Sequence, residues 1–540
     1  MSALITKKVT SMKRLLPLAA AAAALVLAAA AHAAAPGITG PAFALIAQAA
    51  PISQPDGQAL YSWGYGCTTP PASSRFVPAT SVAPFCHTMQ VPGPTLVVTE
   101  GQSVSVTLTN GLPASAGNTS ILFPGFNVAT SGGVAGLLTQ EAAPGGTVTY
   151  TFIAGSPGTR AYYSGTQGDL QVEMGLYGAI IVLPNGAPTN GSCPTHNTAA
   201  GLNAGGTALV SGGESNFRLS PTGAAYHVTQ SCYDREYLFQ FSEMDPNIHK
   251  QALAQVTACS APGAPTGCHL NVPTEPYSPA YFMINGRSMP DDMDTNYAAQ
   301  YPHQPYNGNP HMHPGELVLL RIIGQGRWQH PFHEHGNHVR ILARDGNLIV
   351  AGSSGTAATQ LAGPLLFTTT TTPGLAMDGI FYWTGKGLNW DAYGHHAGSA
   401  DPLATLSCTP DLNGYNTGSL TAVNYYEWCQ DHNKPLQAAP FGDVAGGGPA
   451  TLPDANLFTN GAWYGGSPYL GPNATVRATG PTGTTPPSGT IANSPTGEAG
   501  FAFMWHSHNE REITTNNIFP GGMLMMMLVD SREFVIDESN

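Results

Sequence analysis

The feature that most restricts the fold is a series of short apolar segments punctuated by glycine, proline and asparagine. Ser103-Val-Ser-Val-Thr-Leu-Thr109 and Thr147-Val-Thr-Tyr-Thr-Phe-Ile153 alternate apolar and polar residues, while Thr95-Leu-Val-Val-Thr99 and Gly178-Ala-Ile-Ile-Val-Leu183 carry short unbroken apolar runs. A period of two belongs to a strand with one buried face, and the β-branched content agrees with it. Further strand candidates begin at Arg235, Tyr281, Leu317, His338, Leu365, Gly379, Gly500 and Met523. Glycine (64) and proline (46) make up about a fifth of the 540 residues, and only 9% are charged, so the chain has little material for long helices. No convincing long amphipathic helix is visible. An apolar fraction of 42% argues against disorder throughout. The expected class is all-β, built as β-sandwiches.

The N-terminus carries Lys7, Lys8, Lys13 and Arg14, an apolar run from Leu15 to Ala30, and Ala31-His32-Ala33 as a small-x-small site. Residues 1–33 therefore read as a signal peptide, which places the protein in the periplasm or outside the cell. No other stretch reaches membrane-spanning length, so no transmembrane segment is expected. Cleavage after Ala33 leaves 15 basic against 32 acidic residues, a net charge of −17. Such a surface disfavours nucleic acid and suits small reductants or metal ions. Eight cysteines in an exported chain suggest disulfides. Neighbour spacing suggests Cys67–Cys86, Cys193–Cys232, Cys259–Cys268 and Cys408–Cys429. Residues 34–60 read as an arm, 61–190 as a first domain and 185–228 as a linker. Residues 229–540 read as a second domain, interrupted at about 385–497 by a polar, glycine-rich insertion too long for an ordinary loop.

The histidines are the chemical signal. His330, His333, His335 and His338 crowd into one segment, and His506 and His508 into another. Two His-x-His pairs on strands each present both rings on one face. Two such pairs on adjacent strands could converge on a metal, and imidazole suits copper, zinc, iron or nickel. Other candidates are weaker. His311 and His313 flank Met312, His395 and His396 sit among glycine and aromatics, and His249 reads as structural. Met523, Met525 and Met527 share one face of a strongly apolar strand, which reads as core packing. Glu510 and Glu512, just after the second histidine pair, are candidates for positioning a metal-bound water or accepting protons.

His330-Pro-Phe-His333-Glu-His335-Gly336 resembles the His-Pro-x-His-x-His-Gly motif of multicopper oxidases, and His506-Ser507-His508 resembles their C-terminal His-Cys-His. Val91-Pro-Gly-Pro-Thr95, Glu100-Gly101 and Gly175-Leu-Tyr-Gly178 match scaffold segments, so the resemblance spans roughly 60–383 and 498–530. It implies tandem cupredoxin-like Greek-key sandwiches and copper as cofactor. It also implies that His330 lies at the type 1, electron-accepting copper, while His333, His335, His506 and His508 serve the cluster that reduces oxygen. The departures matter equally. Ser507 replaces the thiolate ligand, Glu510 and Glu512 stand where the family's next histidine would be, and Met523 resembles the axial methionine after an enlarged interval. The first-domain segments Ile121-Leu-Phe-Pro-Gly-Phe126 and Arg160-Ala-Tyr-Tyr-Ser-Gly-Thr166 lack the histidine pairs of the family. The expectation is a copper-binding protein without type 1 copper, oxidising a small phenol or metal ion slowly. The alternative is a non-enzymatic copper carrier or an extracellular structural protein. The sequence does not choose copper over zinc, and it leaves a homo-oligomer open.

Overall fold

The computed structural model describes residues 35–77, 85–193, 218–313, 315–383, 409, 466–470, 491–492, 499–530 and 536. The signal peptide, the Cys408–Cys429 pair, His395 and His396, and nearly all of the insertion lie outside the described residues. The all-β expectation holds, because two pairs of facing sheets account for the architecture.

In the first sandwich one sheet runs Gly158–Tyr163, Tyr177–Leu183, Leu96–Thr99, Gly37–Thr39, Phe76–Val77. The other runs Ala59–Cys67, Ala42–Ser53, Ser103–Asn110, Thr147–Ile153, Ala129–Gly132. The alternation read from Ser103 and Thr147 is visible directly: Val104, Val106, Leu108, Val148, Tyr150 and Phe152 are buried, facing Trp63 and Phe123 in one core. Each such side chain contributes about 1.5–3 kcal/mol of burial free energy. Residues 37–53, expected as an arm, are instead strands of this sandwich. Ala42–Ser53 pairs in parallel with Ser103–Asn110 and antiparallel with Ala59–Cys67. Its alanine-rich sequence carries little intrinsic β-preference, so its neighbours decide its conformation.

The second sandwich pairs a sheet of Tyr281–Ile284, Arg235–Met244, Leu317–Gly324, Ala376–Tyr382, Val339–Arg344 and Asn347–Leu348 with another of His311–Met312, Leu524–Asp530, Ala499–Ser507, His330–Glu334 and Thr368–Thr371. Trp505, Phe332, Phe239 and Phe381 meet between them. Met523, Met525 and Met527 are fully buried in this core, as the strand pattern suggested.

A helix at Pro246–Ser260 is the main departure from the all-strand reading. Asp245 caps it, accepting from the Asn247 amide at 2.8 Å, and Pro246 occupies the first turn. Its Ile248 and Ala252 join the first core, and Cys259–Cys268 ties its end. His249 on this helix is structural, its ring held between the Tyr61 and Glu173 carbonyl oxygens. The disulfides Cys67–Cys86, Cys193–Cys232 and Cys259–Cys268 match the neighbour spacing. The sandwiches are joined by buried polar contacts. Thr159 Oγ1 donates to Asp378 at 2.6 Å, and Gln325 Nε2 to the Gly178 carbonyl at 3.0 Å.

Candidate metal centre

The strands His330–Glu334 and Ala499–Ser507 are antiparallel neighbours with His333 opposite His506. Alternation then puts His335 on the same face, and both pairs meet across the ladder. Ligand atoms of His333, His335 and His506 all lie within 4.8 Å of one another. Ring centroids are 4.9 Å apart for His333–His335, 5.1 Å for His335–His506 and 5.5 Å for His333–His506. His508 completes the set from the rim: its ring lies 4.9 Å from that of His333, and its side chain is 51% exposed. The centre is thus buried on one side and open on the other.

The surrounding contacts fix these rings. His506 Nδ1 is 2.7 Å from the Ser507 carbonyl oxygen, which can only accept, so Nδ1 carries the hydrogen and Nε2 presents a lone pair. That Nε2 lies 3.2 Å from His335 Nε2. His333 Nδ1 contacts Thr368 Oγ1 at 2.7 Å, and Trp505 Nε1 donates to the His335 carbonyl at 2.9 Å. Burial, reinforced by the neighbouring His506 and His508, lowers the His333 pKa to about 4. Burial also lowers that of His506. Both are neutral near pH 7, the form that binds a metal. Closely spaced neutral imidazoles with one accessible edge fit copper, and they fit zinc as a donor set.

His330 is not brought into this group. Its Nε2 is 2.9 Å from Glu243 Oε2 and its Nδ1 2.9 Å from Glu512 Oε2. Burial by itself would lower its pKa, but hydrogen bonds to Glu243 and Glu512 outweigh it and raise the value to about 9. His330 is therefore a buried cation with both nitrogens donating to carboxylates, an arrangement that leaves no lone pair for a metal. Ser507 Oγ donates to the same Glu512 oxygen at 2.5 Å. The two positions that the resemblance associates with type 1 copper, His330 and Ser507, thus join Glu512 in a network of imidazolium, hydroxyl and carboxylate.

The two carboxylate candidates separate. Glu512 is fully buried in this network, whereas the Glu510 side chain is 83% exposed, 3.8 Å from His508 Nδ1. Sequence reasoning missed Glu243, which lies 87 positions from His330. It also missed Tyr277, whose hydroxyl contacts Glu243 Oε1 at 3.1 Å and Glu173 Oε2 at 2.7 Å. Nothing local in the sequence marks either. His311 and His313 serve the fold instead. His311 Nδ1 is 2.6 Å from Asp530 Oδ2, and His313 Nδ1 is 3.1 Å from the Asp530 carbonyl, which clamps the strand Leu524–Asp530. The first sandwich brings no histidine through its turns at Leu122 and Tyr163. Leu122, Tyr163, Ser164 and Gly165 instead line a half-open cavity of about 300 Å³, closed from the second sandwich by Gln325 and Gly326.

Comparison with known proteins places the first sandwich. A family model described as multicopper oxidase matches residues 80–187. Laccase-3 of Botryotinia fuckeliana is 37% identical over 102 residues, covering 18% of this chain and 21% of that protein. Laccase abr2 of Aspergillus fumigatus is 35% identical over 98 residues, covering 18% of this chain and 16% of that protein. The chain therefore spans about a fifth of the length of these curated relatives. Among solved structures, the blue copper oxidase of Nitrosomonas europaea aligns over 90% of this chain and 85% of its own, at 14% identity and a TM-score of 0.40.

Proposed function

We propose that this chain, a member of the multicopper oxidase (cupredoxin) superfamily with a multicopper oxidase domain at residues 80–187, binds copper through His333, His335, His506 and His508 and oxidises a small phenol or metal ion slowly, without type 1 copper. The superfamily's cofactor is copper. The observation that carries the reading is the convergence of two His-x-His pairs from adjacent strands while the thiolate position is serine. Copper, when bound, supplies a one-electron couple and an open position for oxygen or substrate. The residues do the rest. The Ser507 carbonyl fixes the His506 tautomer, Thr368 orients His333, and the accessible His508 edge admits a small molecule. The cavity at Leu122 and Tyr163 has no charged side chain among its described lining residues and suits a neutral, ring-sized reductant better than an anion. The three disulfides suit the oxidising compartment expected of a periplasmic or secreted protein. No described helix is long and apolar enough to cross a membrane.

The carrier reading draws on one observation, the exposure of His508, which would allow metal exchange. The methionines do not add to it, because Met523, Met525 and Met527 are enclosed in the core. Two measurements separate the readings. Copper content after loading should fall sharply in His506→Ala and His333→Ala, and unchanged content in both would sink the site. Anaerobically loaded protein should then consume oxygen slowly with a phenol, cuprous copper or manganese(II), and this turnover should vanish in His506→Ala. Rapid reduction of oxygen to water would refute the absence of a working electron-entry copper, and no turnover with any of the three leaves the carrier.

A further inference from the structure

We propose that Glu512 is a positioning residue of the histidine centre: one carboxylate oxygen ties the His506–His508 end of one ligand-bearing strand to the start of the other. This rests on the copper reading of the centre and adds a determinant of its geometry.

The ladder between the two strands is short. Its registered pairs are Phe332–Ser507, His333–His506 and Glu334–Trp505, so it ends at Ser507, between the two histidines of that strand. Beyond that point a single main-chain bond holds His508 to the facing strand, from its amide to the Pro331 carbonyl at 2.8 Å. Glu512 takes over there. Its Oε2 accepts from Ser507 Oγ at 2.5 Å and from His330 Nδ1 at 2.9 Å. One donor lies between His506 and His508, and the other lies three residues before His333 on the facing strand. The carboxylate is itself immobilised. Asn509 Nδ2 donates to Oε1 at 2.9 Å, the Glu512 amide donates to the Asn509 carbonyl, and the Glu512 carbonyl accepts from the Met523 amide at 2.8 Å. Glu243 holds the far nitrogen of His330 at 2.9 Å, so that ring cannot swing away when the metal site is strained.

The chemistry requires a carboxylate. Serine hydroxyl and imidazolium both donate, so the joint must be an acceptor able to take two donors on one oxygen and to carry the charge that balances His330. An amide at 512 keeps the shape and one acceptor oxygen but loses the charge. Alanine leaves Ser507 and His330 without their shared acceptor. Groups that hydrogen-bond a metal ligand directly commonly govern affinity by roughly 10–100-fold. Glu512 acts one contact further out, through Ser507 and the strand, so its effect belongs at the low end of that range.

The experiment measures copper affinity by competition titration and the copper hyperfine pattern by electron paramagnetic resonance. It uses wild type, Glu512→Ala, Glu512→Gln, Ser507→Ala and the Glu512→Ala/Ser507→Ala pair. Glu512→Ala should lose roughly 10-fold in affinity, the low end of the range for outer partners, with a changed hyperfine pattern, Glu512→Gln should lose less, and Ser507→Ala should add nothing once Glu512 is gone. Unchanged affinity and hyperfine in Glu512→Ala, or fully additive effects in the double variant, would overturn the assignment. Ser507→Ala cuts one arm and keeps the Glu512–His330 contact, so it tests the joint if Glu512→Ala does not fold. Should wild type take up no copper, the copper reading fails separately. The imidazole ring resonances of the metal-free protein then decide: those of His506 and His508 should move in Glu512→Ala, and stationary resonances refute the joint.

Discussion

Replacing Ser507 by cysteine and Glu512 by histidine should turn the copper-loaded protein intensely blue. Both side chains already gather at His330, because one Glu512 carboxylate oxygen lies 2.9 Å from its Nδ1 and 2.5 Å from Ser507 Oγ. Removing the carboxylate also removes the partner that keeps Nδ1 protonated. Glu243 remains on Nε2 and accepts its hydrogen, the outer contact that a metal-bound histidine ordinarily makes. Two imidazoles and a thiolate are the donor set of blue copper, with a thiolate-to-metal band near roughly 600 nm. The wild type, with a hydroxyl at 507, should show no such band and no type 1 paramagnetic signature. Optical titration with copper is the check. A double variant that binds copper at this position yet stays colourless would mean that the strands no longer bring these residues within bonding distance.

The second large effect is on stability. His330→Ala should cost about 3–5 kcal/mol, because it leaves the Glu243 and Glu512 carboxylates buried without their shared cation. The same residue gives a pH dependence of defined sign. Its pKa rises from 6.5 to about 9 on folding. Below pH 6.5 it is charged in both states and its stabilisation is fully present. As pH rises through about 9 the folded form loses its proton too, and a contribution on the order of 3 kcal/mol disappears. Thermal unfolding of metal-free protein between pH 6 and 10 should therefore show a decline that His330→Gln lacks. Equal slopes in the two proteins would remove His330 as its source.

The parts of this architecture that were legible in the sequence share a physical property: they are encoded by short periodicities. Ser103–Asn110 announces itself by alternation, and His333, His335, His506 and His508 by a spacing of two that only a strand turns into a common face. What was hidden depends on distant partners. Ala42–Ser53 is a strand because Ser103–Asn110 and Ala59–Cys67 flank it, not because alanine favours one. The helix Pro246–Ser260 had a local signal in Asp245-Pro246, an N-cap and first-turn pair that the density of strands obscured. His330 belongs to the histidine motif by sequence and leaves it in space, because Glu243 from another sheet claims one nitrogen and Glu512 the other. Glu512 was visible as an anomaly in the motif, but only its hydrogen bonds to Ser507 and His330 show that it shares an oxygen between two strands.

The centre also has a history in time. His335 and His506 touch across 171 positions of chain. At ordinary elongation rates of about 5–20 residues per second, roughly 10–30 s separate the synthesis of these two residues. A nascent or partly folded chain therefore presents His333 and His335 as a two-nitrogen chelate well before the opposing strand can close over it. An ion that met this pair alone would be selected by availability and by intrinsic affinity for two imidazoles, an order in which copper stands above zinc. An ion captured early would still meet the open His508 edge in the folded protein, so the completed set of four histidines, not the order of arrival, would decide which metal is kept.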